Sequence, residues 1–246
     1  MSALPPSNAI VTGASRGIGR AVALRLARDG FAVVVNYAGN RDKAAEVVTE
    51  ISGHGGRAVA VQGDVAEAAD MVRLFDEAEK AFGSVGAVVN SAGIMKLFSI
   101  ASGRVEDFDA VFAVNVRGTF NVLQQAARRL ADGGRIITMS TSVLGMNFPG
   151  YAPYAASKAA VEVLTRILAH ELRGRGISVN AVAPGPTATD LFLEGKTQEQ
   201  IDRLAKLPPM ERLGTPDDIA NVVSFLAGPE GGWVNAQTLR ANGGYT

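Results

Sequence analysis

Tyr154 and Lys158 stand four residues apart in Tyr154-Ala155-Ala156-Ser157-Lys158, a spacing that places a phenol and an ammonium on one face of a helix. A phenol with its ordinary pKa near 10 is only about 0.1% ionised at pH 7. A cation beside it stabilises the phenolate and draws the group toward the range where general acid–base catalysis is efficient. The pair alone says little, because Tyr-x-x-x-Lys arises by chance on many helix surfaces.

A second constellation lies near the start of the chain. Ile10-Val11-Thr12-Gly13-Ala14-Ser15-Arg16-Gly17-Ile18-Gly19 runs from an apolar strand pattern into a helical one. Glycines at 13, 17 and 19 permit a tight turn, close backbone approach to a diphosphate and close helix–strand packing. The helix that follows offers free N–H groups and its positive dipole end to phosphates. The spacing is G-x-x-x-G-x-G rather than G-x-G-x-x-G, and a purely structural turn is the competing reading. The next strand ends in Asn36-Tyr37-Ala38-Gly39-Asn40, with no carboxylate. An NAD site commonly has Asp or Glu there for the ribose 2′-OH. A 2′-phosphate would instead be attracted by a cation, which Arg16 can supply. NADP(H) is therefore expected, against the alternative of a surface arginine beside a neutral loop.

These residues need a frame. Ala32 to Val35, Ala58 to Val61, Val88-Val89, Ile136-Ile137 and Ile177 to Val182 read as buried parallel strands. Between them, Ile18, Val22 and Leu26, like Leu164, Leu168 and Leu172, recur at helical spacing. Alternation of this kind implies βαβ units in one doubly wound α/β domain over residues 1–246. Pro184 to Gly214 breaks the rhythm: it is proline-rich and has only weak helical spacing around Leu191 to Leu207. A segment of that length leaving the C-terminal end of a strand is expected to be a substrate lid, over 186–214, or else a plain surface excursion.

Thr12 to Gly19, Asn90-Ser91-Ala92-Gly93, Asn115, Ser140-Thr141-Ser142, Tyr154-x-x-x-Lys158 and Pro184-Gly185 follow one another in a single order. In these residues the chain resembles the short-chain dehydrogenase/reductase family over nearly all its length. The 3-oxoacyl-(acyl-carrier-protein) reductase-like branch is the nearest, with a segment like Leu239-Arg240-Ala241-Asn242-Gly243-Gly244. One departure is Ser91, where the family's Asn-Asn-Ala-Gly has its second asparagine. The resemblance implies a single Rossmann-type parallel sheet of about seven strands with helices on both faces, and a homo-oligomer, commonly a tetramer. It implies that Tyr154 is the acid protonating a carbonyl oxygen and that Lys158 lowers its pKa and holds the nicotinamide ribose. Asn115 would support a proton-relaying water. Gly13, Ser15, Arg16, Ile18, Asn36, Tyr37, Asp64, Val65, Asn90, Ala92, Gly93, Pro184, Gly185, Thr187 and Thr189 would contact the cofactor. Asp64 could instead cap the helix beginning near Glu67, and Asn115 could cap a turn.

The hydroxyl that polarises the substrate is ambiguous. The family often has its serine 13 positions before the tyrosine, which falls on Thr141. Ser142-Val143-Leu144-Gly145, however, resembles the family's Ser-x-x-Gly, as if the loop around Met146 to Pro149 were one residue shorter. Adjacent extended residues point to opposite faces, so only one of the two reaches the carbonyl. Ser142 is the expectation and Thr141 the alternative.

Composition narrows the remaining classes. The 246 residues carry 24 basic and 24 acidic side chains, a neutrality that argues against a protein whose main task is gripping nucleic acid, which needs a basic face. No apolar run reaches the length of a membrane span, and Met1 to Asn8 lacks the basic start of a secretion signal. Cysteine is absent and the histidines are only His54 and His170, so no metal site and a cytoplasmic location are expected. His54 and His170 read as exposed or capping. An NADP(H)-dependent reductase acting on a small-molecule carbonyl or alcohol is the leading function. A non-catalytic NADP-binding sensor is the alternative, which retention of Tyr154, Lys158, Ser142 and Asn115 together disfavours. A Rossmann-like methyltransferase would have no use for the Tyr–Lys pair. Phe148, Leu191, Phe192 and Leu193 suggest an apolar pocket or simply lid packing. The stretch around Trp233 to Leu239 reads as a subunit contact or as part of the monomer core.

Overall fold

The computed structural model describes residues 7–246, so the reading of Met1 to Pro6 lies outside it. The glycine turn joins β1 (Asn8–Thr12) to α1 (Gly17–Arg28). There follow β2 (Ala32–Tyr37), α2 (Arg41–Gly53), β3 (Ala58–Gln62), α3 (Ala68–Phe82) and β4 (Ala87–Asn90). Next come α4 (Val105–Phe112), a π-helical turn (Ala113–Arg117), α5 (Gly118–Arg129) and β5 (Arg135–Met139). After a 3₁₀ turn at Ser142–Gly145 come α6 (Ala152–Glu171) and β6 (Ser178–Pro184). The chain continues through α7 (Asp190–Leu193), α8 (Gln198–Ala205), α9 (Pro216–Ala227), a 3₁₀ turn at Pro229–Trp233 and β7 (Thr238–Ala241).

All seven strands pair in parallel in the order β3-β2-β1-β4-β5-β6-β7. The expected strands are all present. Strands β1, β2, β4 and β5 are buried throughout, which explains their continuous rather than alternating apolar runs. One core lies against α1, α2 and α9 and includes Val22, Leu26, Val47 and Leu226. The other lies against α3, α5 and α6 and includes Leu74, Phe75, Val122 and Leu168. Each such fully buried side chain contributes about 1.5–3 kcal/mol.

The segment after β6 departs from its expected weak structure. Thr189 caps α7, and Thr197 and Gln200 form a reciprocal capping box on α8. A Thr-x-x-Gln pattern signals such a helix start. Trp233 is 99% exposed, which removes it from the monomer core. His54 caps the end of α2 and, like His170, is exposed. Among the described residues no helix is long and apolar enough to cross a membrane.

Candidate active site

β1 has β2 on one side and β4 on the other, so the chain departs in opposite directions from this pair and leaves a crevice at their C-terminal ends. A cleft of about 560 Å³ opens there. Gly13 has φ +62°, and a Cβ on it would lie 2.8 Å from the Ala92 Cα on the turn after β4. A Cβ on Gly19 would sit 2.2 Å from the Gly13 carbonyl oxygen. Both positions therefore require glycine, and the resulting cradle exposes backbone to the cleft. Arg16 precedes α1 in an extended conformation, and its side chain makes no cap. The N–H groups of the first turn are thus left for an anion.

Most of the expected cofactor residues line this cleft: Gly13, Ser15, Arg16 and Ile18 from the turn, and Asn36 and Tyr37 from β2. Asp64 and Val65 follow β3, Ala92 and Gly93 follow β4, and Pro184, Gly185, Thr187 and Thr189 end β6 and lead to α7. Asp64 closes a local turn by accepting from the Ala66 N–H at 2.9 Å, so it does not cap α3. Asn36 is almost fully buried, and its amide donates to the carbonyls of Val61 and Gly63 at 3.2 and 3.0 Å. It thereby ties β2 to the end of β3. The exposed Arg16 makes no ion pair among the described residues. Lys43, one turn into α2, also lines this end of the cleft, a second cation that the sequence reading missed.

Two expectations change. Asn90 does not line the cleft: its side chain accepts from the Thr12 hydroxyl and donates to that of Thr119, both at 2.8 Å. It joins β1, β4 and α5. Asn115 is fully buried in the π turn, with its side chain bonded to both the N–H and the carbonyl of Ile94 at 2.9 Å and to the Ser157 hydroxyl at 3.0 Å. It braces the Gly93–Ile94 turn beside Lys158 rather than facing the cleft. A Cβ on Gly93 would lie 3.3 Å from the Asn115 Oδ1 and 3.5 Å from the Lys158 Nζ.

At the other end of the cleft, α6 carries Tyr154 and Lys158, whose Nζ lies 6.0 Å from the Tyr154 ring centre. Burial pushes the Tyr154 phenol up to about 12, opposed by a hydrogen bond from the Thr141 hydroxyl. Burial also brings Lys158 down to about 8, and its Nζ donates to the Met139 carbonyl at 2.7 Å. The lowered tyrosine expected from the neighbouring lysine is therefore absent, because desolvation dominates and the ammonium is turned toward β5.

Both candidate hydroxyls, Thr141 and Ser142, belong to residues that line the cleft, but they have different partners. Ser142 is 1% exposed; its hydroxyl donates to the Ala183 carbonyl at 2.9 Å and accepts from the Asn242 amide at 3.0 Å. Thr141, at the head of the 3₁₀ turn, accepts from the Val143 N–H and has its hydroxyl at the Tyr154 phenol. Thr141 thus joins Tyr154, whereas Ser142 fastens β5 to β6 and to the segment after β7. Phe148, Leu191 and Phe192 line the cleft near this end, together with Tyr151 and Tyr245, which sequence reasoning did not single out.

The family sequence model described as enoyl-(acyl carrier protein) reductase matches residues 13–246. A short-chain type dehydrogenase/reductase of Picea abies is 49% identical, covering 96% of this chain and 91% of its own. An Arabidopsis thaliana protein titled NADPH-dependent aldehyde reductase-like protein, chloroplastic, is 47% identical, covering 96% and 93%. The crystal structure of a short-chain dehydrogenase from Burkholderia cenocepacia in complex with NADP superposes with a TM-score of 0.92 at 38% identity, covering 99% of each chain.

Proposed function

The chain belongs to the short-chain dehydrogenase/reductase family, and on that premise we propose that it is an NADPH-dependent reductase of ketone or aldehyde carbonyls, with Tyr154 as the general acid. The observation that carries the reading is the meeting of Thr141, Tyr154 and Lys158 in the cleft that begins at the glycine cradle. The cradle suits a dinucleotide diphosphate, since a side chain at Gly13 or Gly19 would fill it. Arg16 and Lys43, with no carboxylate at the end of β2, suit a ribose 2′-phosphate. NADP(H) is the cofactor, and when bound it supplies the hydride.

The protein's own residues do the rest. Thr141 holds the substrate carbonyl beside the phenol. Tyr154 keeps its proton at neutral pH, because burial raises its pKa, and gives that proton to the carbonyl oxygen as negative charge develops there. Lys158, mostly charged at pH 7, stabilises the phenolate left behind. Apolar side chains of α7 exclude water from this step.

NADPH oxidation followed across ketones and aldehydes tests the reading. Tyr154→Phe is expected to lose about 10²–10⁴-fold in rate while binding NADPH normally. An undiminished rate would overturn the mechanism. Arg16→Ala should lower the preference for NADPH over NADH by about ten- to a hundredfold, the equivalent of one charge-assisted phosphate contact.

The protein is further expected to be a homo-oligomer. Trp233 is 99% exposed beside β7, and Phe120 and Ile167 are 50% and 55% exposed on α5 and α6. Large apolar side chains exposed in this way suit subunit contacts.

A further inference from the structure

The segment after β7 turns back on itself and enters the site. Asn242 holds it: its amide donates to the Ser142 hydroxyl at 3.0 Å and to the Thr246 hydroxyl at 3.2 Å, while its Oδ1 accepts from the Gly244 N–H at 3.0 Å. Gly243 and Gly244, with φ of +63° and +84°, permit the reversal, and Tyr245 closes it by donating its N–H to the Asn242 carbonyl at 3.2 Å. The turn is wedged in place on both sides. A Cβ on Gly244 would lie 3.0 Å from Pro209, at the end of the lid, and one on Gly145 would lie 2.9 Å from Thr246. Tyr245 is thereby carried to the cleft wall.

Tyr151 stands one turn before Tyr154, its ring 5.7 Å from that of Phe148. It lines the same cleft as Tyr245, and both side chains are half-buried. Burial raises both phenols, and a charge on Tyr151 would disfavour ionising Tyr245 and Tyr154 alike. Neither phenol is bonded to a protein group among the described residues. Val143, Phe148, Leu191 and Phe192 add apolar surface to the same cleft.

We propose that Tyr151 and Tyr245 form a phenol pair that selects the substrate, favouring ketones whose apolar, ring-sized body carries a hydroxyl or second carbonyl oxygen away from the reacting carbonyl. The proposal rests on the carbonyl-reductase reading and names the substrate class of that site. A wholly apolar substrate would desolvate both phenols without bonding them, and sites with polar groups left unpaired reject such ligands strongly. A substrate oxygen placed between the phenols accepts from one and, when it is a hydroxyl, donates to the other. Both tyrosines act on binding and orientation; Tyr154 alone moves the proton.

The test compares hydroxyacetophenones with the methylacetophenones substituted at the same ring position, titrated calorimetrically into protein saturated with NADP⁺. The wild-type protein should bind at least one hydroxy isomer about tenfold more tightly than its methyl counterpart, the equivalent of one hydrogen bond. Tyr245→Phe and Tyr151→Phe, which keep the rings and their packing, should each remove most of that ratio. Absence of the ratio in the wild type, or its survival in both variants, would overturn the phenol pair. Turnover is scored separately with NADPH. Binding selectivity without any turnover would defeat the reductase reading alone, and turnover without selectivity would defeat the phenol pair alone.

Discussion

Hydroxyls one residue apart have different work here. Because the Ser142 hydroxyl is consumed by Ala183 and Asn242 and the Thr141 hydroxyl faces Tyr154, Thr141→Val should remove most ketone reduction. Ser142→Ala should leave measurable turnover and cost about 1–3 kcal/mol of stability, since it strips the bonds joining two strand ends. Parallel kinetics and thermal melts of the two variants check this, and the reverse pattern of activity would restore Ser142 as the polarising group. Lys158 supplies a pH signature. The unfolded chain keeps this proton up to about 10.5, whereas the folded site releases it from about 8. The unfolded form therefore binds more protons between these values, and folding without cofactor becomes more favourable as pH rises across them. Affinity for NADPH should run the other way, weakening above pH 8 as the ammonium loses its charge. Lys158→Met should flatten both trends and raise the melting temperature of the cofactor-free protein at pH 7, as measured by scanning calorimetry and fluorescence titration. The identities of Tyr154 and Lys158 were legible in the sequence from their spacing. Their protonation behaviour was not, because desolvation depends on what α6 packs against.

Among the elements, the glycine turn is the least tolerant. Gly19→Ala would force a Cβ to 2.2 Å from the Gly13 carbonyl, a contact that only backbone movement relieves. A loss of about 1–3 kcal/mol or more is expected, with weakened NADPH binding, because the first turn of α1 must shift. Gly30→Ala isolates backbone strain, since Gly30 has φ +95° and a Cβ there would meet nothing within 4 Å. Gly19 lies within α1 without a positive φ and reports the contact alone. Denaturant titration and NADPH binding of the pair make the comparison. The turn and the strands around it were readable because local rules govern them: buried runs, glycine at fixed offsets, helical spacing in α1. The lid was less so. Its helices α7 and α8 are only four and eight residues long, too short for periodicity to stand out, and their capping threonines carry the signal instead. Asn90 and Asn115 were misplaced for a related reason. Their motif positions were visible, but the partners that take their amides come from Thr12 and Thr119 in one case and Ile94 and Ser157 in the other.

At the scale of the whole molecule, two cores on opposite faces of one sheet leave the crevice between β1 and β4 as the natural site, and the alternation of strand and helix in the sequence already implied it. What that alternation could not give was the outer surface, because an apolar residue facing solvent reads the same as one facing the core. Trp233 is the clearest case. If it and the apolar side chains on α5 and α6 are covered by other copies, light scattering at micromolar concentration should report a multiple of 25.6 kDa. Trp233→Glu should shift that mass downward without unfolding the monomer, since the side chain makes no contribution to its core. A wild-type mass of one chain would contradict the assembly.

The π turn at Ala113–Arg117 has a geometric consequence for the span from Val105 to Arg129. Val111, Asn115 and Thr119 are all buried at successive intervals of four residues. On a regular α-helix each such interval overshoots a full turn by about 40°, so the three would fan around the axis by about 80°. One widened turn resets that angle. The same rod can then seat Val111 in one place, aim Asn115 at the Gly93–Ile94 backbone and bring Thr119 under Asn90. An extra fraction of a turn works as a phase correction between two stretches of helix whose contacts are fixed independently, and it falls at the point where the rod passes Lys158.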